Sequence, residues 1–154
     1  MNKIRIIAVG DLKEKYLKKA QDHFISKIRS KADIEVIEVK EEKLRSNAGE
    51  KDIERVKEKE GERIIKRIPE RTRTVLLDIT GKETNSRDIW RMSREDTAYI
   101  IGGSYGAGKN ILQRCSERIS FSKMTYTHQM TRIILLEQIN QSFYQEDGCE
   151  QKEL

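Results

Sequence analysis

The chain has 154 residues, 36% of them apolar and 37% charged, and its 31 Lys and Arg against 26 Asp and Glu give a formal net charge of +5. That length predicts one domain able to bury a real core, and no apolar run approaches the ~20 residues that cross a bilayer. The basic excess is compatible with a nucleic-acid partner, although a surface rich in Lys and Glu is more often simply a solvated face.

The opening "MNKIRIIAVG" has a basic start and a short apolar run but no long apolar segment with a small-residue cleavage site, so it predicts a first strand rather than a signal peptide. The first helical pattern follows, with Tyr16, Leu17, Ala20, Phe24 and Ile28 on one face. "DIEVIEV" predicts a second strand, and "EEKLRSNAGEKD" the most polar connection. A charged helix then carries Ile53, Val56, Ile64, Ile65 and Ile68 and stops before Pro69. "TVLLDI" and "TAYIIGG" predict the next strands; a short helix carries Ile111, Leu112, Cys115 and Ile119; "RISFSKMTY" predicts a fifth strand. The last helix runs from about Gln129 to Tyr144 with Met130, Ile133, Ile134 and Ile139 facing inward, and the tail "QEDGCEQKEL" lacks apolar periodicity and is expected to be loose. Strands alternating with helices predict an α/β fold with a mainly parallel sheet. Cys115 and Cys149 show neither metal spacing nor a disulfide framework, which suits a cytoplasmic protein without a metal.

One stretch, "IIGGSYGAGKNI", imitates a nucleotide-binding P-loop. From Gly103 it reads Gly-x-x-x-x-Gly-Lys, but Asn110 stands where a magnesium-binding hydroxyl belongs. No later hydrophobic strand ends in an Asp that could hold the metal, so ATP chemistry is disfavoured. Two readings of the glycines stand. Either they let a ligand approach the backbone at a strand end, or they form a tight strand-to-helix turn with no ligand.

A second stretch separates those readings. "SFSKMTYTHQMTRIILLEQI" is rich in hydroxyls between a strand and a helix, and Ser120, Ser122 and Thr125 can bond nearby backbone to shape a loop. Together with "IAVGDLKEKYLKKA", "VKEKEGERI", "LLDITGK" and "IIGGSYG", in that order, it resembles the RlmH family of small SPOUT-class methyltransferases. The resemblance spans residues 1 to about 139. It implies a SPOUT-type α/β domain over 1–154, its C-terminal part threaded into a trefoil knot, assembled as a homodimer. It implies S-adenosylmethionine as cofactor and N3 of a pseudouridine in 23S ribosomal RNA as target. By motif, the cofactor residues are Leu77, Gly102, Phe121, Ser122, Lys123, Met124, Thr125 and Tyr126. Lys109 then falls on the surface near RNA rather than on a phosphate.

The departures fall where catalytic help is expected. The family continues Tyr-Arg after its "LLEQ" helix and closes on Tyr-His-Lys or Tyr-His-Arg; here Asn140 and Gln141 follow Ile139, and no His lies beyond His128. Thr127 replaces a common Pro, and the stretch from Lys82 to Ile101 is shorter than usual, enough to trim a helix. No residue is assigned as the base. His128 has two readings, a base or, favoured, a structural residue at the start of the last helix or at a dimer contact; Trp90 is read as packing; Lys123 has two readings, RNA contact or solvated surface. A diverged relative that binds cofactor or RNA but catalyses little is the alternative function.

Overall fold

Every strand of the sheet runs parallel to its neighbours, which places all the carboxyl ends along one edge. The computed structural model describes residues 1–146. Its elements are β1 (Lys3–Val9), α1 (Lys15–Ile28), β2 (Asp33–Val39), α2 (Glu50–Ile65), β3 (Arg73–Glu83), α3 (Ser86–Met92), β4 (Thr97–Ile101), α4 (Lys109–Arg114), β5 (Glu117–Ser120) and α5 (His128–Glu146). The sheet has the order β2-β1-β4-β3-β5.

Strand alternation assigns the two cores. Ile4, Ile6 and Ala8 of β1, with Tyr99 and Ile101 of β4, face α1, α3 and α5. Ile7, Val9, Ala98 and Ile100 face the opposite way, toward Ile64 of α2 and Ile111 of α4. The α/β architecture expected from the sequence is therefore present, with a fully parallel sheet covered on both faces. Among the described residues no helix is long and apolar enough to cross a membrane.

Several local expectations are corrected. Tyr16 does not face inward but is 63% exposed, while Leu17, Ile25 and Ile28 carry the buried face of α1. Ile119 belongs to β5 rather than to α4, and pairs with Leu77. The fifth strand stops at Ser120, because the Ser120 and Ser122 hydroxyls turn the backbone into a local loop. β3 is longer than predicted, with a register shift between Leu77 and Lys82. Gly81 makes that continuation possible: a Cβ there would lie 2.7 Å from the backbone of Arg118 and Ile119. The buried face of α5 is Leu135, Leu136, Ile139 and Phe143; Met130, Ile133 and Ile134 are only half-buried. α3 is short, with Asn85 capping it through a 2.9 Å bond from the Asp88 amide. The first two tail residues, Gln145 and Glu146, still belong to α5; Cys149 and the rest of the predicted loose tail lie outside the described residues.

The sequence signals did not reveal Arg132. Its side chain is 1% exposed yet charged. It donates to Glu38 Oε2 at 2.6 Å, to the Gly10 carbonyl at 3.2 Å and to Gln21 Oε1 at 3.3 Å, tying α5 to β2, to the end of β1 and to α1.

Candidate functional site

Register alone builds the floor of a cleft at the carboxyl edge. Ile101 of β4 lies opposite Ala8 of β1 on one side and Leu77 of β3 on the other, and Leu77 lies opposite Ile119 of β5. Three of these, Leu77, Ile101 and Ile119, line a cleft of about 910 Å³. β1 leads outward to β2 while β4, beside it, leads toward β5, so the cleft opens at the point where the chain reverses its direction of travel across the sheet.

Loops following four strands enclose that floor. After β1 come Lys13, Glu14 and the start of α1; after β4 come Gly102, Gly103, Ser104, Gly106 and Ala107. The bulged part of β3 adds Asp78 and Ile79, and the segment after β5 adds Phe121, Ser122, Met124, Thr125 and Tyr126. Large apolar side chains crowd the mouth: Tyr16 (63% exposed), Ile79 (53%) and Met124 (67%) all line it. Such a concentration of exposed apolar surface marks a binding face rather than ordinary solvated surface.

Of the residues singled out by motif, Leu77, Gly102, Phe121, Ser122, Met124, Thr125 and Tyr126 are brought together on this cleft. Lys123 is not: it is exposed and does not line it. The β5–α5 loop is held from within. Ser120 Oγ donates to the Ser122 carbonyl at 2.8 Å, the Met124 amide donates to Ser122 Oγ at 3.0 Å, and Ser122 Oγ meets the Tyr126 hydroxyl at 3.2 Å. Thr127, where the family often has Pro, caps α5: its Oγ1 accepts the Met130 amide at 3.1 Å.

The glycine turn is shaped mainly by its own backbone. A Cβ on Gly102 would lie 2.9 Å from the Gly106 carbonyl carbon and 3.1 Å from the Ala107 nitrogen. Gly102 is therefore required by the fold of the loop, whatever approaches from the cleft. Gly106 has φ +84°, the left-handed conformation glycine tolerates best, and bonds back to the Gly103 carbonyl at 3.0 Å.

The P-loop imitation dissolves in the same region. Gly108 is buried, and a Cβ there would lie 3.0 Å from the Lys57 carbonyl group of α2. Asn110 donates to the Glu58 carbonyl at 2.9 Å and packs over Gly61, pinning α4 to α2. Lys109 is exposed off the cleft, beside Glu50, Glu54 and Glu58 and also Lys51 and Arg55 of α2. Trp90, on α3, does not line the cleft either.

Two titratable groups near the site are shifted by burial: Glu60, which was not anticipated, and His128, which was. Glu60 is 3% exposed; its Oε2 accepts the Glu42 amide at 3.1 Å, and its Oε1 has no described partner. Burial raises its pKa, opposed by that amide. It sits behind the glycine turn, where a Cβ on Gly103 would lie 3.0 Å from Oε1. The motif "VKEKEGERI" contained Glu60, but a glutamate in a charged helix gives no sign of burial. His128 lines the cleft half-buried, and burial lowers its pKa, opposed by Glu41 and reinforced by the Arg132 charge. Cys115 is a free thiol whose pKa burial pushes up to about 11, which leaves it inert near neutrality.

A family model described as predicted SPOUT methyltransferase matches residues 2–145, nearly the whole chain. The chain belongs to the SPOUT methyltransferase family. As a SPOUT methyltransferase it falls in a group that generally uses S-adenosylmethionine, and the donor set of the cleft fits that molecule. The apolar floor and Phe121 suit an adenine and a hydrocarbon chain, while the Ser122 and Thr125 hydroxyls and the loop backbone offer polar partners. Lys13, paired with Asp11 at 2.8 Å, and Glu14 and Asp78 supply both signs of charge for an amino-acid moiety.

Proposed function

We propose that this SPOUT methyltransferase is of the RlmH type, a single cytoplasmic domain that methylates N3 of a pseudouridine in 23S ribosomal RNA as a homodimer. One observation carries the reading: motif residues in β3 and after β4 and β5, distant in sequence, converge on one cleft at the carboxyl edge. Leu77, Gly102 and the segment Phe121–Tyr126, without Lys123, would hold S-adenosylmethionine, and the threading of the C-terminal segment into a trefoil knot belongs to the same proposal. When bound, that cofactor supplies a methyl group already activated on a sulfonium, so the chain need only orient the acceptor, exclude water and take up a proton. Lys123, exposed in the same β5–α5 loop but off the cleft lining, would meet an RNA phosphate.

The second copy is expected on α5. That helix buries Leu135, Leu136, Ile139 and Phe143 against its own core, yet keeps Met130, Ile133 and Ile134 half-buried on another side. A helix apolar on two sides is normally covered on both, and a two-fold contact would cover the second.

The test is calorimetric titration with S-adenosylmethionine, then methyl transfer to ribosomes from a strain lacking the modification, mapped by mass spectrometry, with the dimer checked by sedimentation. Cofactor binding without transfer would favour a second reading, a relative that binds but scarcely catalyses. Asn140 and Gln141 give that reading its basis: Asn140 is buried in α5, Gln141 bonds Glu137, and neither lines the cleft.

A further inference from the structure

The proposed reaction needs a proton acceptor, because a uracil-type N3 is a poor nucleophile while protonated. The chain has two histidines. His23 is exposed on α1, so His128 is the only imidazole on the cleft. Its ring has no hydrogen-bond or ion-pair partner among the described residues, while the side chains of Asp78, Tyr126 and Lys13 on the same cleft are engaged. Asp78 accepts from the Thr80 hydroxyl at 2.9 Å and from its amide at 3.3 Å. The Tyr126 hydroxyl is paired with Ser122, and Lys13 with Asp11. Glu14 stands exposed at the outer rim.

The backbone of His128 is held on both sides. Thr127 caps the helix in front of it, and Arg132, one turn later, is bonded to Gly10, Gln21 and Glu38. An imidazole on the cleft, free at its tip and fixed at its base, has the geometry of a working acid–base group.

Resting on the methyltransferase reading above, we propose that His128 is the general base that accepts the N3 proton of the acceptor. The N–H bond breaks toward a free imidazole nitrogen. The electron pair stays on N3, where it would take the methyl group that a bound S-adenosylmethionine supplies, the sulfur keeping its own bonding pair as a neutral thioether, and the imidazolium would pass its proton to solvent at the cleft mouth. The surrounding charges set the working range. Burial and the Arg132 charge favour neutral imidazole, Glu41 beyond β2 opposes them, and Lys13, Glu14 and Asp78 face the same space. The base is therefore in its accepting form at neutral pH, and activity should fall on the acid side with a midpoint below the roughly 6.5 of a free imidazole.

The experiment pairs His128→Asn with His128→Gly in the full chain. An NMR titration of the parent's His128 ring should show a midpoint below about 6.5. His128→Asn should lose about 100-fold in methyl transfer to unmodified ribosomes while S-adenosylmethionine affinity stays within about threefold. Added imidazole should restore part of the activity of His128→Gly, and the acid limb should vanish from the His128→Asn profile. Turnover of His128→Asn within threefold of the parent, or loss of activity without imidazole rescue, would overturn the assignment alone. A parent that transfers no methyl group to ribosomes would overturn the ribosomal-RNA target proposed above and, with it, this assignment of His128 to the N3 proton.

Discussion

Arg132→Met tests whether the buried guanidinium holds α5 in place. The side chain is 1% exposed, and its strongest partner, Glu38, is 40% exposed at 2.6 Å. A charge-assisted bond to a half-solvated partner contributes about 1.5–2 kcal/mol, the lower part of the usual range, because water takes Glu38 back when the arginine goes. The Gly10 carbonyl loses its arginine donor, a further cost of about 1–2 kcal/mol. Against this, Arg132 Nε is buried without a described partner, and removing it returns about 1 kcal/mol. Methionine fills most of the vacated volume, so the net loss should be about 1.5–3 kcal/mol. For a chain of this length that is roughly 3–12 °C in Tm. Arg132→Ala should cost about 2 kcal/mol more through the cavity it leaves, and Glu38→Gln less than about 1 kcal/mol. Urea denaturation with far-ultraviolet circular dichroism measures all three. Apolar replacement of a buried charge is sometimes neutral or stabilising. A methionine variant as stable as the parent would show that desolvation outweighs these bonds and would refute the anchoring role.

Glu60→Gln should become relatively more stable as pH rises. Burial raises the folded pKa of Glu60, so its destabilisation begins near the unfolded value of about 4.3 and is complete above the folded one; urea midpoints of parent and variant that keep a constant difference from about pH 4 to 7.5 would contradict this. Gly102→Val should weaken S-adenosylmethionine binding more than about tenfold, or roughly 1.4 kcal/mol, and lower Tm as well, because its Cβ meets the Gly106–Ala107 backbone. Lost binding with an unchanged Tm would instead put the side chain in ligand space. Asn110→Ser, which completes the P-loop spelling, should yield no ATP hydrolysis in a phosphate-release assay and should cost about 1 kcal/mol through the lost bond to Glu58.

Periodicity in the sequence was enough for the five strands, for four of the five helices and for a parallel α/β sheet, because each of these presents an apolar face at its own repeat, while the short α3 gave no such pattern. The motifs also named part of the cleft lining: Leu77, Gly102 and Phe121 to Tyr126 are short-range signals, and of these only Lys123 falls off the lining. What was illegible depends on neighbours distant in sequence. Arg132 looks like a surface charge on a largely uncharged helix and Glu60 like one in a charged helix, and only packing against Gly10 and Glu38, or against Glu42 and Gly103, buries them. The glycine turn resembled a phosphate loop because spelling records where glycines are, not what their missing side chains would strike. The fold decided that: Gly108 lies against Lys57 of α2, and Gly102 against its own loop. His128, ambiguous as a letter at a helix start, gained its place on the cleft only when parallel register set β3, β4 and β5 side by side and brought their loops together.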